Sequence, residues 1–198
     1  MNVAPYNPKF GQIIKTDAGG TADHGFVAHY ILPAANAVAA GVATVKAATA
    51  LAVGATTTLL VADVTQPPGP RVLSITNNAN TAVGNVVITG TDASGAVLTE
   101  TIVAPNPAAT VEGTRAFATI TSIVLPAQGA GGDTISIGTT DKFGLPYKLP
   151  HDTILKILNN NTATTVAASS FSATVLAANY LDPTAAINAA QIDVYLIV

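Results

Sequence analysis

The chain contains no cysteine and no tryptophan, and it has few charged residues. Without cysteine, neither disulfide bonds nor thiolate zinc sites can form, so stability has to come from packing and assembly. Aromatic residues make up only 5% of the chain, which leaves few large anchors for a core. This composition favours thin sheets with many small contacts over one bulky core.

Charged residues make up 10% of the 198 residues, against about 25% in an ordinary soluble domain. A soluble monomer is normally coated with charges of both signs, so this composition favours a surface that neighbours cover in an assembly. The formal net charge is −3. It argues against nucleic-acid binding, because phosphate contacts need clustered lysine and arginine.

Two segments precede the first proline-rich stretch. Residues 1–30 mix proline, glycine, asparagine and scattered aromatics without a sustained period, which predicts an extended arm with short ordered pieces. The opening MNVAPYNPKFGQ does not resemble a secretory signal, so we expect synthesis in a cytoplasm. Residues 31–64 are apolar over a long run, but Asn36, Lys46 and the dominance of alanine argue against a membrane span. We predict short strands there, with one helical turn around residues 34–40.

The stretch TQPPGP, residues 65–70, can continue neither a helix nor a central strand. We therefore divide the chain into residues 1–65, an N-terminal arm with a small-residue segment, and residues 66–198. Short strands separated by polar turns fill the second part. They predict an all-β fold, an antiparallel β-sandwich or barrel-like domain.

The most regular stretch is VVITGTDASGAVLTETIV, residues 86–103. It predicts a hairpin with arms at 86–91 and 96–103, joined by DASG, in which Asp92 caps backbone amides and Gly95 takes a positive φ. The closing QIDVYLIV predicts a strand. Because it is so apolar, it has to be paired in a sheet, within the fold or across a subunit boundary.

The three histidines form no convincing chemical motif. His24 and His29 have Asp23 and Asp17 nearby, but the spacing matches no zinc site, so we expect loop histidines with ordinary hydrogen bonds. His151, followed by Asp152, is more typical of the start of a strand than of a catalytic dyad. No serine lies in the context of a nucleophile elbow.

The acidic residues and the glycine-rich stretch also form no convincing catalytic or calcium-binding motif. Glu100 and Glu112 would be the candidates for a glycosidase pair, but Glu100 falls in a strand, where it is expected to face solvent or an arginine such as Arg115. The stretch GAGGDTISI, residues 129–137, is a single imperfect copy of a calcium-binding nonapeptide, and such sites need stacked turns. We therefore predict no catalytic, cofactor-binding or metal-binding residues, and no enzyme.

Four phrases follow one another along the chain: QPPGPRVLSIT, GNVVITGTDASGAVLTETIV, GTRAFATITSIVLPA and DTISIGTTDKFGLPYKL. In this order, they make the region from about Gln66 to Leu149 resemble virion structural proteins of tailed bacteriophages. The closing LDPTAAINAAQIDVYLIV also resembles the end of such proteins. The resemblance implies a small β-structured virion component without catalytic residues. Among such roles we favour a capsid decoration, or cement, protein.

A decoration protein lies on the outer capsid surface, commonly as a homotrimer at three-fold or quasi-three-fold positions, and ties neighbouring major capsid subunits together. The resemblance thus implies the major capsid protein as partner, and the outer capsid surface of the virion as location after synthesis in the host cytoplasm. Residues 1–30 would reach across the seam. The alternatives are a tail or head-fibre component and a carbohydrate-binding host-attachment module, against which the lack of tryptophan counts.

Overall fold

The structure is a computed structural model that describes residues 14–15, 21–22, 25–78, 82–106, 108–128 and 131–198. Within these ranges the chain is all-β, as the short strands and polar turns predicted, with two 3-10 turns at Val61–Asp63 and Leu176–Ala178. The strands are β1 Ile14–Lys15, β2 Thr21–Ala22, β3 Val27–Leu32, β4 Gly41–Ala50, β5 Thr57–Leu60, β6 Arg71–Asn77, β7 Asn85–Thr91, β8 Val97–Val103, β9 Thr110–Phe117, β10 Thr119–Leu125, β11 Thr134–Gly144, β12 Ile154–Asn159, β13 Thr162–Thr164, β14 Val166–Ser170, β15 Tyr180–Pro183 and β16 Ile192–Ile197.

These strands form three main sheets besides the short β1-β2 ladder. The hairpin sheet has the order β5-β10-β7-β8, and the terminal sheet has the order β13-β12-β16-β3. The central sheet has the order β14-β15-β11-β6-β9, with β4 also paired to β11. All pairings between these strands are antiparallel.

The sheets enclose two apolar clusters. In the first core, side chains of the hairpin sheet such as Ile88 and Ile123 pack with side chains of the central sheet such as Ile75 and Ile137. The second core joins the terminal sheet to the other end of the central sheet. The strand β11 serves both, because Ile135 and Ile137 belong to the first core and Phe143 to the second.

The strands of residues 27–60 are built into these same sheets. β3 pairs with β16, β4 with β11 and β5 with β10. Strand pairing therefore crosses the predicted boundary between residues 65 and 66, because these alanine- and threonine-rich strands find their backbone partners in the later part of the chain. Residues 27–30 of the predicted arm lie in β3, while residues 1–13, 16–20 and 23–24 are outside the described residues.

The predicted hairpin is confirmed. β7 and β8 pair in register from Asn85 opposite Val103 to Thr91 opposite Val97. In the turn, Asp92 Oδ1 accepts hydrogen bonds from the backbone N–H groups of Ser94 (2.8 Å) and Ala96 (3.1 Å). Gly95 has a φ of 83°, a conformation that glycine adopts without steric cost.

Two further expectations are confirmed. In the turn predicted within residues 34–40, the Ala37 N–H donates to the Pro33 carbonyl oxygen at 3.0 Å. The closing strand β16 is paired on both sides, with β12 and with β3. Its apolar residues are therefore held inside the fold rather than left at an edge.

The stretch RAFATITSIVL divides between two sheets. β9 ends at Phe117 and pairs with β6, whereas β10 begins at Thr119 and pairs with β7 and β5. One residue, Ala118, separates them, and its N–H donates to Thr91. The chain thus turns a corner here from the central sheet to the hairpin sheet, and this corner brings β9 close to β8.

Candidate functional site: a groove between two sheet edges

A groove lies between the free edges of two sheets. Among the described strands, β8 pairs only with β7 and ends the hairpin sheet, and β9 pairs only with β6 and ends the central sheet. These two strands form the walls of the groove. The groove has a volume of about 600 Å³, a size common among ligand-binding clefts. It is lined by Val83, Gly84, residues 100–106 and residues 111–114.

The edge of β8 is open along its backbone. Just outside the strand, Ala96 accepts a hydrogen bond from the turn and Ala104 donates one to Gly84 of the neighbouring chain segment. Because successive residues of a strand point their backbone groups in opposite directions, the odd-numbered residues of β8 point theirs away from β7. These are Val97, Thr99, Thr101 and Val103.

Glu100 is the one charged side chain that β8 turns inward. The burial of β8 alternates, and Glu100 shares its inner face with Leu98 and Ile102, positions that normally carry apolar residues. Only 8% of Glu100 is exposed. Burying a carboxylate is costly unless hydrogen bonds or a positive charge compensate it.

The compensation of Glu100 is incomplete. Its Oε1 accepts hydrogen bonds from the backbone N–H (2.6 Å) and the hydroxyl group (2.9 Å) of Thr114. Its Oε2 is buried and has no hydrogen-bond partner among the described residues. A donor or a cation that entered the groove would therefore find an acceptor that this part of the chain leaves unused.

An irregularity in β9 places Gly113 and Thr114 against the side chain of Glu100. The register with β6 shifts between Val72 and Ser74, as at a β-bulge, which turns backbone groups out of the ladder. The Thr114 N–H is thereby available to Glu100. A Cβ on Gly113 would lie 2.6 Å from Oε2 of Glu100, so the carboxylate fits only against a glycine.

Apolar side chains form the rim of the groove. Val83 is 57% exposed, Val103 is 65% exposed and Val111 is 37% exposed, although valine is usually buried. Val97, at the start of β8, is 83% exposed. Exposed apolar side chains that are grouped on one surface mark a place that another chain or a ligand can cover.

Glu112, the second acidic residue of the groove, is already neutralised. Its Oε2 accepts a hydrogen bond from Lys142 Nζ within an ion pair. Burial acts to lower the pKa of Lys142, but the hydrogen bond and the charge of Glu112 outweigh it and raise that pKa above its ordinary value. Among the described residues, Glu100 is thus the groove carboxylate without a cationic partner. The expectation that it faces solvent or an arginine such as Arg115 is wrong, because Glu100 is buried and bonded to Thr114.

His29 and His151 lie apart from this groove. His24, Asp17 and Asp23 are outside the described residues. His29, on β3, contacts Asp193 of β16 through Nε2 at 2.8 Å and stacks on the Tyr195 ring at a centroid distance of 4.4 Å. His29 therefore has the ordinary hydrogen bond that we expected, but the predicted loop is wrong, because His29 lies within β3.

His151 lines a second cavity of about 550 Å³, next to the end of β16. Most of its lining is apolar, including Tyr147, Leu149 and Ile197. The neighbouring Asp152 accepts a hydrogen bond from the Ile154 N–H at 2.9 Å, which caps the start of β12. This agrees with the predicted strand start.

The residues that complete the groove were missed from the sequence. Thr114 and the backbone around it have no motif, and their contact with Glu100 depends on how two sheets meet. One signal was available in the stretch TVEGTRAF, because a glycine inside a strand indicates a bulge or a close approach of another group. Gly113 marks both.

Comparison with known protein families, characterised proteins and solved structures finds no match. Among the described residues, no helix combines the length and the apolar character needed to cross a membrane. In the same part of the chain, no three histidine or acidic residues are grouped so that they could hold a metal ion.

Proposed function

We propose that this chain is a structural subunit of a tailed-phage particle, a decoration protein that binds the outer capsid surface and bridges neighbouring major capsid subunits. The observation that carries the proposal is the combination of open sheet edges with exposed valines in a chain with 10% charged residues. Such a surface favours burial against other chains over life as a separate monomer. The order of sequence phrases from about Gln66 to Leu149 supplies the resemblance to phage virion proteins.

The exposed apolar residues are spread over several surfaces, which suits a subunit with more than one neighbour. Besides the groove rim, Val27 and Ile31 of the terminal sheet are 65% and 42% exposed, and Leu60 is 58% exposed. A decoration protein needs contacts to its own copies and to the capsid. Separate apolar surfaces would allow both at once.

Stabilisation of the shell would come from multiplied contacts. Each interface can be modest, because a subunit held at one site presents its other sites at a high effective concentration. A protein that binds only the assembled shell also stabilises that shell by mass action. In the proposed homotrimer these contacts repeat three times around the axis, which joins several capsid subunits through one small protein.

The test is to mix purified protein with undecorated capsids of the phage that encodes it, and to image the pelleted particles by cryo-electron microscopy. We expect ordered density on the outer surface at three-fold or quasi-three-fold positions. Bare capsids would overturn the decoration role. Rings or rods formed without capsids would favour a tail or head-fibre component, and binding to host glycans would favour the attachment module.

A further inference from the structure

The free oxygen of Glu100 sets a chemical condition on whatever enters the groove. Because Oε2 is buried and has no partner, the group that meets it has to donate a hydrogen bond, and a positive charge would also compensate the ionised carboxylate. An inward-pointing charge on an edge strand discourages unrelated strands from adding to it. A chain segment that does bind here therefore has to bring a hydrogen-bond donor, and a cationic donor fits this position best.

The shape of the groove sets a second condition. The backbone groups of Thr101 and Val103 face the open edge of β8, and the rim valines flank them. An extended segment could pair its backbone with this edge, with apolar side chains on the rim. The expected ligand class is thus an extended peptide with a lysine or arginine between apolar residues.

The chain itself contains such a segment. Residues 1–13, MNVAPYNPKFGQI, hold one basic residue, Lys9, and no acidic residue, and Tyr6 and Phe10 lie close to Lys9 in the sequence. The prolines at 5 and 8 disfavour a helix and favour an extended backbone. The charge of Lys9 complements that of Glu100, and the aromatic residues complement the apolar rim.

We propose that residues 1–13 of one copy occupy the groove of another copy, with the Lys9 ammonium group donating to Oε2 of Glu100. Exchange between copies fits the placement of the chain, since Gly25 and Phe26 lie beside Val198 at the second core whereas the groove adjoins the first core. With one segment and one groove in each chain, two copies can exchange their segments reciprocally, or several copies can pass them head-to-tail around a ring. The proposal does not depend on capsid binding.

Cysteine cross-linking tests this contact cleanly because the natural chain has no cysteine. Full-length Phe10→Cys protein is mixed with full-length Thr101→Cys protein under mild oxidation, and disulfide-linked dimers are followed by non-reducing electrophoresis. Thr101 is exposed and lines the groove. The control partner is Thr162→Cys, exposed on β13 of the terminal sheet. We expect dimers with Thr101→Cys to form at least tenfold faster than with the control.

The role of the charge is tested by adding Glu100→Gln to the Thr101→Cys chain, or Lys9→Gln to the Phe10→Cys chain. Each change should slow dimer formation about tenfold, as expected for one lost charge-assisted contact, and the two together should slow it little more than either alone. Asp152→Asn is the matched control, since Asp152 is an exposed carboxylate that does not line the groove. Lys9→Gln keeps the test decisive if Glu100→Gln lowers the melting temperature.

Three results would overturn the proposal. Equal rates with Thr101→Cys and Thr162→Cys would show that residue 10 does not visit the groove. A disulfide found only within a doubly substituted chain, Phe10→Cys with Thr101→Cys, would place the segment in its own groove. Rates that neither Glu100→Gln nor Lys9→Gln changes would remove the ion pair.

Discussion

Arg71 and Thr140 are joined inside the protein, where Nε of Arg71 donates to the Thr140 carbonyl oxygen over 3.0 Å. The Arg71 side chain is fully buried, and its Nη1 donates to the Val38 carbonyl oxygen over 3.0 Å. Burial lowers the pKa of Arg71, and the charge of Asp141 acts in the opposite direction. The guanidinium group thus connects the start of β6 to two distant parts of the backbone.

We expect Arg71→Leu to lower the free energy of unfolding by about 3 kcal/mol or more, because the buried Thr140 carbonyl group and the partly buried Val38 carbonyl group both lose their donor. Arg71→Lys should recover only part of this loss, since an ammonium group cannot reproduce the fork of donors. Urea denaturation measures both. The control Arg115→Leu, at a half-buried arginine, should change stability by less than about 0.5 kcal/mol, and an equal loss in that variant would contradict the prediction.

Gly138→Ala should be severely destabilising. A Cβ at this position would lie 1.8 Å from the Gly41 carbonyl oxygen, so β4 and β11 would have to move apart. We expect a loss of about 3 kcal/mol, measured by thermal or urea unfolding. Gly131→Ala is the control, because nothing lies within 4 Å of its added Cβ. Equal stability of the two variants would show that the strands can separate without cost.

Removal of residues 194–198 should prevent folding. Val194 and Leu196 are fully buried in the second core, and loss of each costs about 2–5 kcal/mol, which together approaches the whole stability of a typical domain. Circular dichroism and a melting curve measure the effect. Leu155→Ala, on the adjacent strand but 57% exposed, should be nearly neutral. A truncated chain with an unchanged melting temperature would contradict the pairing of β16.

The turn of the hairpin should lose stability in acid. Burial acts to raise the pKa of Asp92, but hydrogen bonds from Ser94 and Ala96 outweigh it and lower the pKa below its ordinary value. A carboxylate with a lowered pKa stabilises the fold above its unfolded pKa, near 3.9, and this contribution is lost as the pH falls through the folded value. The melting temperature of the natural chain minus that of Asp92→Asn should therefore be constant between about pH 6 and 8 and shrink below about pH 4. A difference that does not vary with pH would contradict this.

Deletion of residues 1–24 should reduce binding to capsids but leave the fold intact. The deletion stops short of β3, which starts at Val27 and is paired with β16, so the melting temperature should change by only a few degrees. Binding to capsids, measured by co-sedimentation, should be weakened, because the deletion removes the contact that we propose between residues 1–13 and the groove of another copy, and separate copies no longer present several capsid-binding surfaces together. Unchanged capsid binding would contradict this prediction.

Features set by neighbouring residues were predictable from the sequence. The hairpin turn follows from Asp92 and Gly95, whose side chain and backbone freedom act within four residues. The closing strand follows from its continuous apolar character. Such features need only local chemistry, so a single sequence contains the information.

Features set by distant residues were not predictable. His29 meets Asp193, 164 positions away, and the position of Glu100 opposite Thr114 depends on the register of two strands in different sheets. The burial of Arg71 likewise depends on carbonyl groups of Val38 and Thr140. Each contact results from how the sheets meet, which no local pattern in this sequence encodes.

The passage of β11 through both apolar clusters affects how the protein unfolds. Ile135, Ile137 and Phe143 lie on one uninterrupted strand, so neither cluster can open without disturbing the backbone of the other. We therefore expect the two halves to unfold as one cooperative unit in a single melting transition. A pull on one end of such a subunit is passed along a continuous strand to the other end.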